Sequence, residues 1–262
     1  GDLKEAINVY SKAIQIRREY ADAYNNMGNA QKDLGDLDVA INSYLKAIEI
    51  QADYAEAYGN LGIVLRDKGE LDKAIEYYRQ ATSLNPNFSE AHNNLGIALK
   101  DKGNLSSAIE SYNIAIKINP SYAKAHFHLG MALKEHGNID GSIESYKNAI
   151  KINPNYAEVY SNIGNIFKEK GDIETAIKNY EAAIKIKFDY TEAYYNLGIA
   201  LTDKGDFDAA IKNYSSVLEI EPDHAEAQHL LVSLLGNTTS SAPREYVERL
   251  FDGYAWKFDT SL

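Results

Sequence analysis

The sequence repeats itself every 34 residues, and this period constrains the fold more than any other feature. Six consecutive stretches begin at residues 21, 55, 89, 123, 157 and 191, and we number the columns of their alignment 1 to 34. Two columns are always glycine: Gly28, Gly62, Gly96, Gly130, Gly164 and Gly198 in column 8, and Gly35, Gly69, Gly103, Gly137, Gly171 and Gly205 in column 15. Column 24 is always tyrosine: Tyr44, Tyr78, Tyr112, Tyr146, Tyr180 and Tyr214. A fixed period of this length indicates a solenoid, in which each unit packs on its neighbours and not around one central core.

Within one repeat, the hydrophobic spacing predicts two helices joined by a turn. In residues 55–88 the first helix has apolar or small residues at i, i+3, i+4 and i+7: Tyr58, Leu61, Gly62 and Leu65. Gly69 ends this helix, because glycine adopts the left-handed conformation of helix ends without a Cβ penalty. A second helix has its own apolar stripe: Ala74, Ile75, Tyr78 and Ala81. Pro86 closes that helix, since a proline disfavours helical geometry in the residue before it.

This pattern resembles the tetratricopeptide repeat. Residues 55–88 contain the family's aromatic in column 4, Leu-Gly in columns 7 and 8, alanine in 20 and 27, aromatic in 24 and proline in 32. The departures in other repeats are Met27, Ile163, Ser142, Val217, Ala52 and Phe188. Because Ala52 and Phe188 replace the proline of column 32, we expect the helices before them to end less sharply. The resemblance covers residues 1–236 and implies an all-α fold, a right-handed α-solenoid (superhelix) of helix–turn–helix repeats whose concave groove is lined by the first helix of each repeat.

The period also predicts the organisation of the chain. Residues 1–20 form a half-repeat with only the second helix, and residues 225–236 form a capping helix in which Val232 takes the glycine column. Between them lie six complete repeats: 21–54, 55–88, 89–122, 123–156, 157–190 and 191–224. A polar linker follows at 237–243, then a helical tail at 244–262. Since the sequence starts in column 15, we expect it to be a fragment of a longer protein.

The tail has no register with the repeats. Its apolar residues fall at helical spacing: Tyr246, Val247, Leu250, Phe251, Tyr254 and Phe258. The tail resembles the entry helix of class I S-adenosylmethionine-dependent methyltransferases that follow repeat arrays, and the matched residues are Tyr246-Val247, Leu250-Phe251-Asp252, Tyr254-Ala255 and Phe258-Asp259. The resemblance implies a following catalytic domain. The other interpretation is an amphipathic tail that packs on the last repeat.

We find no catalytic constellation in the sequence. It contains no Gly-rich phosphate loop after a strand and no nucleophile motif, and no cofactor-binding strand and turn precede Leu262. His126 and His128 are two residues apart and therefore lie on different faces of a helix, which is a poor spacing for a metal. We therefore expect no cofactor, no metal and no enzymatic activity for residues 1–262.

The charge and hydropathy of the sequence argue against nucleic acid and membrane as partners. The net charge of −11 argues against nucleic acid, because phosphate binding relies on Lys and Arg. Column 12 carries a basic row: Lys32, Arg66, Lys100, Lys134 and Lys168. An acidic row in column 13 neutralises it: Asp33, Asp67, Asp101, Glu135, Glu169 and Asp203. No segment approaches the roughly 20 apolar residues of a membrane span, and we expect a cytoplasmic protein.

The polar feature that remains is a ladder in column 6: Asn26, Asn60, Asn94, His128, Asn162 and Asn196. These residues lie off the buried stripe, and asparagine is a mediocre helix former, so its recurrence calls for a reason. An Asn amide donates and accepts, and thus matches the C=O and N–H of an extended peptide. Similar ladders line the groove of peptide-binding members of the family. Asn25, Asn29, Asn93 and Asn165 lie nearby and add polar groups to the same face. The alternative is that the ladder residues form hydrogen bonds between neighbouring helices or follow repeat duplication without selection.

Selectivity would come from more variable columns. Four apolar residues in columns 5 and 9 are candidates for a pocket that takes a hydrophobic anchor: Ile63, Ile97, Phe127 and Met131. The alternative is that the column 9 residues only pad the contact between helices. Because His128 donates and accepts when neutral but only donates when protonated, we expect ligand binding to change between about pH 5.5 and 7.5.

Two function classes follow. The first is a protein–protein interaction or scaffold module that binds extended peptides through the ladder. The alternative is the substrate-recruiting or oligomerising arm of a methyltransferase, or of a glycosyltransferase. We also expect self-association through the half-repeat, whose apolar residues lack a preceding helix: Ala6, Ile7, Tyr10, Ala13 and Ile14.

Overall fold

A computed structural model describes residues 2–237, and within this range the chain forms fourteen α-helices and no strand. The first nine are α1 (Leu3–Ile16), α2 (Ala21–Asp33), α3 (Leu37–Ile50), α4 (Ala55–Asp67), α5 (Leu71–Leu84), α6 (Ser89–Asp101), α7 (Leu105–Ile118), α8 (Ala123–Glu135) and α9 (Ile139–Ile152). The last five are α10 (Ala157–Glu169), α11 (Ile173–Ile186), α12 (Thr191–Lys204), α13 (Phe207–Ile220) and α14 (Ala225–Asn237). The predicted all-α class is confirmed. None of these helices has the length and apolar content that crossing a bilayer requires.

The helices belong to two compact units, the first ending at Asn153 and the second beginning at Pro154. In the first unit α2, α4, α6 and α8 are the first helices of their repeats, and each packs along the second helix that follows it. The second helices α1, α3, α5 and α7 also pack on the first helix that follows each of them, and successive first helices of this unit touch. The second unit repeats this arrangement in α10 to α14. Each unit is therefore a stack of helix pairs in which every contact is with a neighbour.

The tyrosine ring of column 24 fits against the glycine of column 8 and holds the two helices of each repeat together. We call this contact the notch. The six column 24 tyrosines are at most 1% exposed, and their rings lie against the glycines of column 8. A Cβ built on Gly62 would lie 2.7 Å from Cε1 of Tyr78, and one on Gly96 would lie 2.5 Å from Cε1 of Tyr112. Only glycine leaves room for the ring, which explains a mid-helix residue that costs about 1 kcal/mol in helix propensity.

The turn between the two helices of a pair depends on the second glycine. Gly69 has φ of +80°, a left-handed conformation that residues with a side chain rarely adopt. Its N–H donates to the carbonyl of Arg66, and the N–H of Glu70 donates to the carbonyl of Leu65 at 2.9 Å. These bonds satisfy the last carbonyls of α4. The predicted glycine stop is thus present.

The expectation of less sharply defined helix ends before Ala52 and Phe188 is wrong. Helices α3 and α11 end in column 30, as do the second helices that are followed by proline. The residue after α3, Gln51, is extended at φ −132°, and its N–H still donates to the carbonyl of Ala47 at 2.9 Å. The same geometry recurs at Asn85, which precedes Pro86. The packed start of the next first helix fixes these ends without a proline.

The two ends of the array differ from its middle. None of the residues of α1 is fully buried, whereas every other second helix has at least four buried positions. Helix α14 buries Leu231 and leaves Val232 54% exposed, and it extends one residue beyond the predicted cap. Residues 238–262, with most of the predicted linker and the whole methyltransferase-like tail, lie outside the described residues.

The notch predicts opposite effects for two glycines of α4. Gly62→Ala should destabilise the protein by about 1–3 kcal/mol, because its methyl group would overlap the Tyr78 ring. Gly59→Ala is the matched control, since the nearest atom to its Cβ, in Phe88, is at 3.4 Å. It should be neutral or stabilise by up to about 1 kcal/mol through helix propensity. Urea unfolding of both variants measures the difference, and equal stabilisation by the two would contradict the notch.

Candidate functional site

The predicted ladder residues lie on the first helices of both units. In the first unit Asn26 on α2 is exposed, and Asn60, Asn94 and His128 on α4, α6 and α8 are half-buried. In the second unit Asn162 on α10 and Asn196 on α12 are half-buried. Apart from the more exposed Asn26, the column 6 residues are all half-buried, and their side chains are reachable without unpacking the helices.

We call each column 6 side chain a rung of the ladder. In the first unit, two rungs form hydrogen bonds with the column 5 asparagine of the preceding repeat. Nδ2 of Asn60 donates to Oδ1 of Asn25 at 3.0 Å. His128 Nδ1 donates to Oδ1 of Asn93 at 2.8 Å, so its Nε2 keeps a free lone pair. Asn25 and Asn93 are only 4% and 2% exposed. The alternative interpretation, hydrogen bonds between neighbouring helices, therefore describes these rungs.

The supporting role of Asn25 and Asn93 was missed from the sequence, which placed them among the groups that face a ligand. A signal existed, because each lies 35 residues before the residue that it holds. That spacing joins column 5 of one repeat to column 6 of the next. Periodicity alone shows which residues share a helix face but not which atoms meet between helices.

The rungs of the second unit have different surroundings. Asn162 Nδ2 donates to the backbone carbonyl of Glu158 at 2.8 Å, one turn earlier on its own helix. Column 5 here holds the buried Ser161 and the aromatic Tyr195, whose ring stacks near His224 at 5.0 Å. Asn196 makes no side-chain hydrogen bond within residues 2–237. The support by a preceding asparagine is thus a feature of the first unit.

Residues of column 9 lie next to the column 24 tyrosines and either accept a hydrogen bond from them or pack against the core. The hydroxyl of Tyr44 donates to Oδ1 of Asn29 at 2.8 Å, and that of Tyr180 donates to Oδ1 of Asn165 at 2.7 Å. Two of the tyrosine hydroxyls are buried without a partner in the described chain, those of Tyr78 and Tyr112. Their repeats have isoleucine in column 9, Ile63 and Ile97, which pack against the core of the first unit. The padding interpretation fits these two isoleucines better than a ligand pocket.

Phe127 and Met131 lie on α8 in a more open environment, both half-buried. The ring of Phe127 is 5.5 Å from that of His128 and 6.1 Å from that of Tyr146. His128 also lies 5.8 Å from the ring of Tyr112. The structure therefore gathers the aromatic rings of Tyr112 and Phe127 around His128.

The electrostatics of His128 contradict the expected pH response. Burial, followed by the positive charges of Lys124, Arg66 and Lys100, lowers the pKa of His128 to about 4. The ring is therefore neutral between pH 5.5 and 7.5. The prediction that His128 makes ligand binding change in this range is wrong.

Three lysine or arginine residues of column 12 and the histidine His126 have structural partners. The basic and acidic rows pair on α2, α4 and α6, at 3.3 Å between Lys32 and Asp33, 3.0 Å between Arg66 and Asp67, and 3.7 Å between Lys100 and Asp101. His126 Nε2 bonds to the carbonyl oxygen of Pro120 at 3.0 Å. Over residues 2–237 no three His, Asp or Glu side chains are arranged to hold a metal ion.

All of the family models that match the chain describe the same repeat family. Models described as TPR repeat match residues 1–35, 98–137, 132–171 and 164–202. Models described as tetratricopeptide repeat match residues 19–87, 77–110 and 191–224. A comparison with curated protein sequences gives no match.

Solved structures are similar over most of the chain. MamA is 32% identical over 63% of this chain and 97% of its own, with a TM-score of 0.57. The APC/C hetero-tetramer Cut9–Hcn1 is 17% identical over 89% of this chain and 46% of its own, with a TM-score of 0.73. YrrB is 22% identical over 84% of this chain and 96% of its own, with a TM-score of 0.51. The last two show the fold alone.

The notch predicts that two Tyr→Phe variants behave differently. Tyr44→Phe removes a hydrogen bond and strands Asn29, which should cost about 0.5–1.5 kcal/mol. Tyr78→Phe removes a buried hydroxyl that has no partner, so it should be neutral or stabilising. Chemical denaturation of both variants tests this. A loss at Tyr78→Phe as large as that at Tyr44→Phe would mean that a partner for its hydroxyl exists.

The lowered pKa of His128 predicts acid sensitivity of the fold. Below about pH 6.5 the unfolded chain binds a proton at this residue, whereas the folded chain does so only near pH 4. The free energy of unfolding should therefore fall as the pH drops from 6.5 to 4, by about 3 kcal/mol at most from this group. His128→Asn, the residue of the other repeats, should reduce this slope in urea unfolding at pH 4.5, 5.5 and 7.

The control is His136→Asn, which changes an exposed histidine after α8 and should keep the wild-type pH dependence. A slope unchanged in His128→Asn would show that other groups cause the acid sensitivity.

Proposed function

The chain belongs to the tetratricopeptide repeat family, and from this membership we propose that it is a protein–protein interaction module that binds extended peptide segments along its first helices. The binding residues in this proposal are the column 6 ladder with the α8 residues Phe127 and Met131. Ile63 and Ile97 contribute only the edges of their side chains that remain exposed, because they also pack against the core. The partner is a protein or peptide.

One observation carries the proposal. In the first unit, Asn25 and Asn93 hold the side chains of Asn60 and His128 in fixed orientations. Asn60 keeps its carbonyl oxygen and one N–H for a ligand, and His128 keeps the Nε2 acceptor. Groups that are already oriented lose less conformational freedom on binding, so each contact with a peptide backbone costs less.

The magnitudes limit what the ladder achieves alone. Each net hydrogen bond contributes roughly 0.5–1.5 kcal/mol. Six bonds from three asparagine rungs would give on the order of 3–9 kcal/mol, against about 4–15 kcal/mol for association. Backbone contacts therefore support weak binding with little sequence preference, and side-chain contacts must supply the rest.

A similar protein supports peptide as the class of ligand. The YrrB structure is described as a TPR protein with an unusual peptide-binding site. This likeness concerns the fold and gives no correspondence between residues. Nucleic acid fits less well, because the basic row of column 12 is paired with its acidic neighbours and the chain carries −11 overall.

The alternative function, a recruiting arm of a methyltransferase or glycosyltransferase, depends on residues 244–262 and stays a prediction, as does a cytoplasmic location. Binding of S-adenosylmethionine by the full-length protein, measured by calorimetry, would support that alternative. Self-association through α1 is also a prediction, and sedimentation at increasing concentration tests it.

The ladder predicts a loss of affinity on truncation. Linear 16-residue peptides selected from a displayed random library against residues 1–262 serve as ligands. Asn60→Ala with Asn94→Ala should weaken them by about 1–3 kcal/mol, because backbone partners are lost. Calorimetric titration measures the change. The matched control is Asn42→Ala with Asn148→Ala, which removes two exposed amides from second helices.

Equal affinity in the two double variants would contradict the ladder and direct the search to another surface. A failure of the library to yield any ligand would contradict peptide binding as such.

A further inference from the structure

One first helix differs from the other five on its ligand-facing side. Columns 2, 5, 6 and 9 are spaced i, i+3, i+4 and i+7 and therefore form one stripe on each first helix. On α8 this stripe consists of Lys124, Phe127, His128 and Met131, which we call the α8 stripe. Column 2 is acidic in every other repeat: Asp22, Glu56, Glu90, Glu158 and Glu192. Column 6 is asparagine in every other repeat.

Lys124 is a free positive charge in an acidic protein. Its side chain is exposed and makes no ion pair within residues 2–237. The acidic residue at the same column of the preceding repeat, Glu90, accepts a hydrogen bond from the Ser89 hydroxyl at 2.9 Å. Arg66 and Lys100 are already paired with aspartates on their own helices. A carboxylate that reached the α8 stripe would therefore find Lys124 as its partner.

Met131 lies on the opposite side of His128 from Lys124 along the helix. Met131 is three residues after His128, and Lys124 is four residues before it. At about 1.5 Å per residue, these positions lie roughly 4–6 Å from His128 along the helix, in opposite directions. Phe127 borders His128 with a ring separation of 5.5 Å. Methionine is flexible and polarizable, and adapts to apolar side chains of different shape.

If an extended peptide crosses α8 at His128, the α8 stripe would contact peptide side chains on both sides of this residue. Successive side chains of an extended chain point in opposite directions. When the backbone N–H of the peptide bonds to Nε2 of His128, one side chain points towards Lys124 and its neighbour in sequence points towards Met131. The stripe is thus complementary to two adjacent peptide residues, one acidic and the other apolar.

Resting on the proposed function, we propose that the α8 stripe selects an acidic residue directly adjacent to a large apolar residue in a bound extended peptide. Lys124 pairs with the carboxylate. Phe127 and Met131 contact the apolar side chain, and His128 accepts a backbone N–H. The rest of the ladder holds the peptide without regard to sequence.

The test uses 12-residue peptides that are acetylated and amidated, so that side chains supply the only carboxylates. A Glu-Leu pair in a Ser/Thr frame is compared with Gln-Leu, Lys-Leu and Glu-Ser by fluorescence polarization. The wild-type protein should prefer Glu-Leu at least fivefold over each of the others. Lys124→Glu, which restores the acidic residue of the other repeats, should reverse the preference to Lys-Leu.

Two further variants separate the parts of the proposal. Lys147→Glu changes an exposed lysine on α9 and should keep the preference for Glu-Leu. Met131→Asn introduces the residue that α2 and α10 have in column 9. It should remove the preference for leucine over serine and leave the charge preference unchanged.

Peptide binding without a Glu-Leu preference, or equal effects of Lys124→Glu and Lys147→Glu, would overturn this inference and leave the proposed function intact. If no capped peptide bound while library-selected peptides did, the inference would also be wrong. If neither class bound, both the inference and the proposed function would fail.

Discussion

The contact between a glycine and a tyrosine ring is the constraint on which the rest of the structure depends. In each repeat the ring of column 24 occupies the space that a Cβ at column 8 would take. This close approach sets the distance between the two helices of a pair and leaves the tyrosine at most 1% exposed. The pairs then stack through neighbouring contacts alone, so the same local packing is sufficient for every repeat.

The notch also determines which residues are available to a ligand. Because the tyrosine crosses the pair, its hydroxyl meets column 9 of the first helix. There Asn29 and Asn165 accept a hydrogen bond, and Ile63 and Ile97 pad the core instead. Column 9 therefore belongs largely to packing. Columns 2 and 6 are exposed or half-buried and stay accessible on the first helices.

The helices could be predicted from the sequence because their determinants are local and recur six times. Spacing of apolar residues and the turn glycines placed both helices of each repeat, and the family matches agree. The ends of α3 and α11 could not be predicted from a missing proline, since the packing of the next helix decides them. The hydrogen bonds and burial of the candidate site were harder to predict from the sequence than the helix ends. The bond from Asn60 to Asn25 and the burial of His128 depend on the register between repeats, which a single sequence does not show.

This separation explains why the fourth repeat can differ where it does. Gly130, Tyr146 and the alanines of α8 and α9 keep the notch, with Tyr146 fully buried, so the repeat packs like its neighbours. His128 replaces asparagine without losing the bond to column 5, because Nδ1 donates to Asn93 as the amide of Asn60 donates to Asn25. The exchange turns a donor and acceptor into an acceptor alone, at a rung whose flanking residue is the cation Lys124. The selectivity that we propose for α8 requires changes at this helix alone, because the packing of the stack depends on columns that the fourth repeat shares with the others.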